Sequence, residues 1–188
     1  MDSIVDYIFE AGMLKRTARS GWWAEKVKYP ESVAEHSFRT AVVAFVLARM
    51  EGMDEEGARR LCTAAVFHDM HETRLGDMNK ITARYIPMTK ELERKVEGDQ
   101  RKDMPGDIRD AIASTLELSE KELMILKDAD YMECAFQAKE YMDIGHKGAE
   151  SWIKSIEAKL KTPSAKRMLT TMRNRDSNDW WKGLKKIE

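Results

Sequence analysis

Apolar positions along this chain recur at three- and four-residue spacing, and no run of six residues alternates as a half-buried strand would. The pattern predicts helices over 2–14, 32–51, 54–71, 89–101, 107–118, 120–144, 148–160, 164–173 and 178–186, hence an all-α fold. One helix start is written out in full. Ser32-Val33-Ala34-Glu35 follows Pro30 as an S-x-x-E capping box, in which each side chain satisfies the other residue's free backbone N–H. The run AVVAFVLA (41–48) is apolar on all sides, which marks this helix as central. His36 falls in its first turn. In the next segment Leu61, Ala64, Ala65 and His68 share one helical face, so His68 continues an apolar stripe. Asp69 beside it would be a carboxylate in need of a partner.

The segment 15–30, KRTARSGWWAEKVKYP, breaks the helical pattern and reads as a loop. It carries five basic residues, one acid and two adjacent tryptophans. Such a loop can offer cations and an aromatic face to an anionic, ring-bearing ligand, or simply be pinned to the core by its tryptophans.

A length of 188 residues fits one domain and buries roughly two-thirds of the unfolded surface. The composition is 43% hydrophobic and 35% charged, with a net charge of −1, which argues against a dedicated nucleic-acid binder. The basic residues from 159 onward read as a solvated face. The N-terminus carries aspartates where a signal peptide needs basic residues, and the longest apolar run is too short for a bilayer. Cys62 and Cys134 lie in helical segments without metal-type spacing and read as reduced core thiols, which points to the cytoplasm. Thirteen methionines read as gap-fillers of a helical core. Trp152 is expected in the core, and Trp180-Trp181 are expected to clasp the domain or a partner subunit.

The densest polar stretch is VFHDMHETRLGD (66–77). It is not a zincin motif, because His71-Glu72 is followed by Thr73, Arg74 and Leu75 and the second histidine is missing. On a continuous helix, Glu72 lies one turn beyond His68, in reach of a water at a metal held by His68 and Asp69.

The ordered set ESVAEHS (31–37), FHDMHE (67–72), GD (76–77) and LKDAD (126–130) resembles the HD-domain phosphohydrolases, within them most nearly the 5′-deoxynucleotidase branch. The likeness spans about residues 11 to 140, including GMLKRTARSGWW. It implies a helical HD-domain bundle with a core near 11–145 and the helices of 148–186 packed on it. It further implies that His36, His68, Asp69 and Asp130 hold one divalent cation. Two imidazoles and two carboxylates suit Mn²⁺, Co²⁺, Fe²⁺, Ni²⁺ or Zn²⁺. Periodicity alone does not choose between Asp128 and Asp130; the family comparison favours Asp130. The same resemblance makes Glu72 the acid/base residue and Asp77 a group that aligns substrate or water. Lys80, one turn later, could meet phosphate. Bacterial members carry an arginine directly before the tryptophan that Trp22 matches; here Gly21 precedes it and Arg19 is the nearest upstream arginine. Arg19 is therefore expected at the phosphate and Trp22 at the pocket wall. No histidine lies between Glu72 and Asp130, which in this superfamily implies a single metal and counts against a cyclic-nucleotide phosphodiesterase. His71 is left out of the ligand set.

The implied activity is removal of the 5′-phosphate from (deoxy)nucleoside 5′-monophosphates by a metal-activated water, with a nucleotide as partner and a homodimer suggested. A nucleotide triphosphohydrolase and a non-catalytic nucleotide-binding regulatory module are the alternatives.

Overall fold

In the computed structural model, which describes residues 1–184, helices carry the fold, with one isolated antiparallel bridge between Ala18 and Ser32. The α-helices among the described residues are α1 (Asp2–Ala11), α2 (Val33–Met50), α3 (Glu55–Phe67), α4 (Glu72–Leu75) and α5 (Lys80–Ala83), followed by α6 (Lys90–Arg101), α7 (Gly106–Ser114), α8 (Glu120–Asp143), α9 (Glu150–Glu157) and α10 (Pro163–Arg173). None of them is long and apolar enough to cross a membrane.

Helix α2 starts as its sequence dictates. The Glu35 N–H donates to Ser32 Oγ at 3.2 Å, and the Ser32 N–H donates to Glu35 Oε2 at 2.6 Å. Such a cap is worth about 1 kcal/mol and fixes where the first turn, and so His36, begins. Helix α8 begins with a second capping box, Ser119 with Glu122. Helices α2, α3 and α8 pack on one another, and α9 and α10 close over α8. Alanines 44, 48, 64, 65, 129 and 135 are fully buried in this core. Small side chains at the crossings let the helix axes approach, while Leu47, Leu61, Ile125 and Met132 fill the space between them. A smaller core joins Tyr7 of α1, Leu14, Val33, Met70 and Met104.

Four segments depart from the sequence pattern. Helix α3 stops at Phe67 instead of reaching 71; residues 67–72 tighten into i,i+3 turns, with the Met70 N–H on Phe67 O and the Glu72 N–H on Asp69 O. Periodicity gave no sign of this break, because Phe67 and Met70 are apolar at helical spacing and their burial in the smaller core decides the turn. The presumed loop at 15–30 contains a 3-10 helix, Ser20–Glu25, and two short helices, α4 and α5, flank Gly76. Gly76 has φ +73°, a conformation in which other residues are strained, and it turns the chain into Asp77. The helix expected over 178–186 is a 3-10 turn, Asp179–Trp181, with 185 and 186 outside the described residues. Trp180 is 74% exposed, so it does not clasp the core.

Cys62 and Cys134 are free thiols packed on the main core, and burial pushes the Cys134 thiol well above its ordinary range.

Candidate active site

The turn after α3 and the first turn of α2 lie between the two cores. Val33 is fully buried in the smaller core and fixes the start of α2, so His36 turns inward with no solvent exposure. Phe67 and Met70 anchor the tight turn, leaving His68 and Asp69 between them. Helix α8 brings Asp130 alongside. His36 Nε2 lies 3.2 Å from Asp130 Oδ1 and 3.6 Å from Asp69 Oδ2, and His68 Nε2 lies 3.1 Å from Asp69 Oδ2. The ligand atoms of His36, His68 and Asp130 fall within 4.8 Å of one another.

Each imidazole is held at its other nitrogen. His68 Nδ1 donates to Ala65 O at 2.7 Å, and His36 Nδ1 meets Glu133 Oε2 at 2.5 Å. Glu133 is fully buried and is itself gripped by Arg39, which also reaches Gln137 and Glu140. Both Nε2 atoms are thereby directed at the carboxylates, the arrangement that a histidine–metal pair requires.

The donor set fits a divalent cation. His68 Nε2, Asp69 Oδ2 and Glu72 Oε2 are buried with no hydrogen-bond partner, a costly state for a protein that has nothing else to satisfy them. The carboxylates also draw positive charge. Burial and Arg19 oppose a proton on His36, yet Asp130 and Glu133 outweigh them and push it up to about 10. Burial likewise opposes the Asp130 anion, but His36, His68 and Arg19 hold its carboxyl well below the usual range.

The structure separates the two aspartates that the sequence left open. Asp128 is 1% exposed and accepts from the Lys161 N–H, the Thr162 N–H and the Thr162 hydroxyl, so it caps the entry to α10. Asp130, two residues on, faces His36.

Glu72 comes close by a different route from the continuous helix expected. It opens α4 after the tight turn and groups with Asp69 and His71 as potential ligands. Burial, then the charges of Asp69 and Asp77, push its carboxyl up to about 9. His71, buried, points instead towards Glu97 of α6 at 3.7 Å.

Asp77 is committed to the basic segment. Its Oδ1 accepts from Arg19 Nη1 at 2.8 Å, and its Oδ2 accepts from the Ser20 N–H at 2.7 Å and the Ser20 hydroxyl at 2.8 Å. Burial opposes the Arg19 charge, but Asp77, Asp69 and Asp130 overcome it and keep the guanidinium ionised.

A cavity of about 730 Å³ opens on this cluster, bordered by Arg19, Asp69, Glu72, Asp130, Lys80 and Trp152. Trp22 borders this cavity as expected, and it is 1% exposed and donates from Nε1 to Glu31 Oε1, so its ring is also fixed in the core. Trp152, expected in the core, is half-buried, stacks on Trp22 at 4.3 Å and lines the cavity. Gly21 makes this stack possible, since a Cβ there would lie 2.5 Å from Trp152 Cη2. Sequence reasoning missed Glu133, although it stands one helical turn after Asp130 on the same face of α8. It also missed Arg39, one helical turn after His36 on α2, and Lys159, which no spacing connects to the cluster.

Comparison with known proteins gives the same outline. Residues 11–172 match the family model described as HD domain. The 5′-deoxynucleotidase HDDC2 of Homo sapiens is 32% identical over 151 residues, covering 77% of this chain and 71% of that protein. A solved structure from Archaeoglobus fulgidus is 32% identical with a TM-score of 0.67, covering 96% of this chain and 100% of that one. The cyanophage S-2L HD phosphohydrolase DatZ, solved with dA and one catalytic Zn²⁺ ion, has a TM-score of 0.59 at 18% identity, over 89% of this chain and 96% of its own. At that identity the likeness concerns the fold.

Proposed function

The chain belongs to the HD-domain family, and from that premise we propose that it is a metal-dependent phosphohydrolase removing the 5′-phosphate from (deoxy)nucleoside 5′-monophosphates. The observation that carries the reading is the convergence of His36, His68, Asp69 and Asp130 beside a cavity that also holds Arg19. These four side chains would hold one divalent cation. When bound, the cation supplies Lewis acidity, which activates water near neutral pH and offsets phosphate charge.

The protein's own groups do the rest. Glu72 exchanges a proton at Oε2, the buried oxygen that no protein group meets. Burial and the charges of Asp69 and Asp77 raise this carboxyl from its ordinary value, which suits it to take a proton from the attacking water and pass it to the leaving 5′-oxygen. Arg19 gives one N–H to Asp77, and its other donors are available to phosphoryl oxygens as charge develops on them. Asp77 acts through Arg19 and Ser20 as a positioning residue. Trp152, backed by Trp22, supplies the aromatic wall. The reading carries with it a cytoplasmic setting and a homodimer. The outward face of α2, where Phe38 is 72% and Val42 50% exposed, is available for the dimer contact.

The test is phosphate release from deoxynucleoside monophosphates with Mn²⁺ or Co²⁺, compared with Glu72→Ala. Loss of the acid/base group lowers turnover by about 10²–10⁴-fold. Equal release by both proteins overturns the reading.

A further inference from the structure

Lys80 of α5 and Lys159, just beyond α9, border the same cavity as the metal-ligand cluster, although the chain separates them widely. Lys80 Nζ lies 6.0 Å from the Trp152 ring centroid, and Lys159 Nζ lies 5.2 Å from that of Tyr131. Among the described residues neither ammonium has a carboxylate within salt-bridge reach. Arg19, which borders the same cavity, is by contrast paired with Asp77. Two unneutralised like charges brought together repel each other and contribute nothing favourable to the fold. Burial, then the neighbouring Lys80, lowers the Lys159 pKa from its ordinary value. An anion between them relieves both effects.

The location says which anion. The cluster's carboxylates are already faced by Arg19 and the histidines, and both lysines stand beyond ion-pair distance from them. A phosphate held at the cluster by Arg19 would share one cavity with the two lysines. The cavity's 730 Å³ lies in the upper part of the roughly 300–1,000 Å³ range of small-molecule sites, which leaves space for a further group. We propose that Lys80 and Lys159, walled by Trp152 and Tyr131, form a subsite for a second phosphate on the nucleotide, distinct from the phosphate that is hydrolysed. The assignment of the hydrolysed phosphate rests on the function proposed above; the anion subsite does not.

The reaction stays at the 5′ ester, where water adds to phosphorus, the P–O bond to the 5′-carbon breaks, and the leaving oxygen takes a proton. A deoxynucleoside 3′,5′-bisphosphate then gives orthophosphate and the nucleoside 3′-phosphate. A 5′-diphosphate gives pyrophosphate and the nucleoside. Product analysis thus distinguishes where the second phosphate sits.

The experiment measures binding of a mono-, a di- and a 3′,5′-bisphosphate to the full chain by calorimetry, without metal so that nothing turns over, and KM with metal for each. At least one doubly phosphorylated ligand is expected to bind about tenfold or more tightly than the monophosphate, with a lower KM. Lys159→Gln should remove most of that preference, and Lys80→Gln likewise. Equal affinity for all three ligands in the wild type overturns the proposal. So does a variant that weakens all three by the same factor, because the lysines would then hold the hydrolysed phosphate. If the preference appears without turnover of any ligand, the subsite stands and the phosphohydrolase reading falls.

Discussion

Glu133 Oε2 lies 2.5 Å from His36 Nδ1, with both side chains fully buried. The contact fixes which imidazole nitrogen is free, and Arg39 Nε, donating at 2.9 Å to the other carboxylate oxygen, keeps Glu133 in place. Glu133→Gln keeps the shape and removes the charge. It is expected to weaken divalent-metal affinity by about 10–100-fold, measured by titration of the metal-free protein with Mn²⁺ or Zn²⁺. Unchanged affinity would show that the ring needs no anionic support.

Asp130 and Asp128 should fail differently when truncated. Asp130→Ala is expected to lose metal retention, read as bound metal per chain after desalting, while the fold persists. Asp128→Ala leaves the donors at Lys161 and Thr162 without their acceptor. The expected cost is about 3 kcal/mol, or roughly 6–12 °C in Tm, with metal binding retained. The reverse pattern would exchange the roles assigned to the two residues.

Glu10 ties α1 to α4 and α6. Burial opposes its charge, but hydrogen bonds from Arg74, Gln100 and Thr73 outweigh it and set the folded pKa below the ordinary 4.5. The sign follows from linkage: this stabilisation is complete above pH 4.5 and is lost as pH falls through the lower, folded value. Urea midpoints of wild type and Glu10→Gln should therefore differ at pH 7 and converge towards pH 3. A gap of constant size would mean that the carboxylate's charge plays no part.

Gly21 and Trp152 should be energetically coupled. Gly21→Ala drives a methyl group against the indole and breaks its stack on Trp22, at a cost of about 1–3 kcal/mol. In a Trp152→Leu background the same substitution is expected to cost under about 0.5 kcal/mol, since the opposing ring is gone. Additive costs in denaturant titrations would place the clash elsewhere.

Bound metal should itself stabilise the chain. Divalent cation at about 100 times its Kd adds about 2.7 kcal/mol. Chelation should lower Tm accordingly, and His68→Ala should make Tm insensitive to the chelator.

The sequence by itself determined the helical class and the start of α2 at its capping box, while its resemblance to a family implied the cluster residues. Periodicity and caps are local properties, since they depend on residues a few positions apart. What it could not determine was everything decided by packing between distant segments. The α3 pattern runs on past Phe67, and only the smaller core breaks it and turns His68 and Asp69 inward. Asp128 and Asp130 look alike in LKDAD; their roles diverge because α10 offers donors to one and α2 an imidazole to the other. Trp152 reaches the cavity beside Trp22 because Gly21 has no Cβ to block the stack of the two indoles. Lys159 has no sequence neighbour that marks it, and it reaches Lys80 only when α9 folds back over α8. Residue type supplied the chemistry, and the packing of far-apart helices decided which copy of each type could use it.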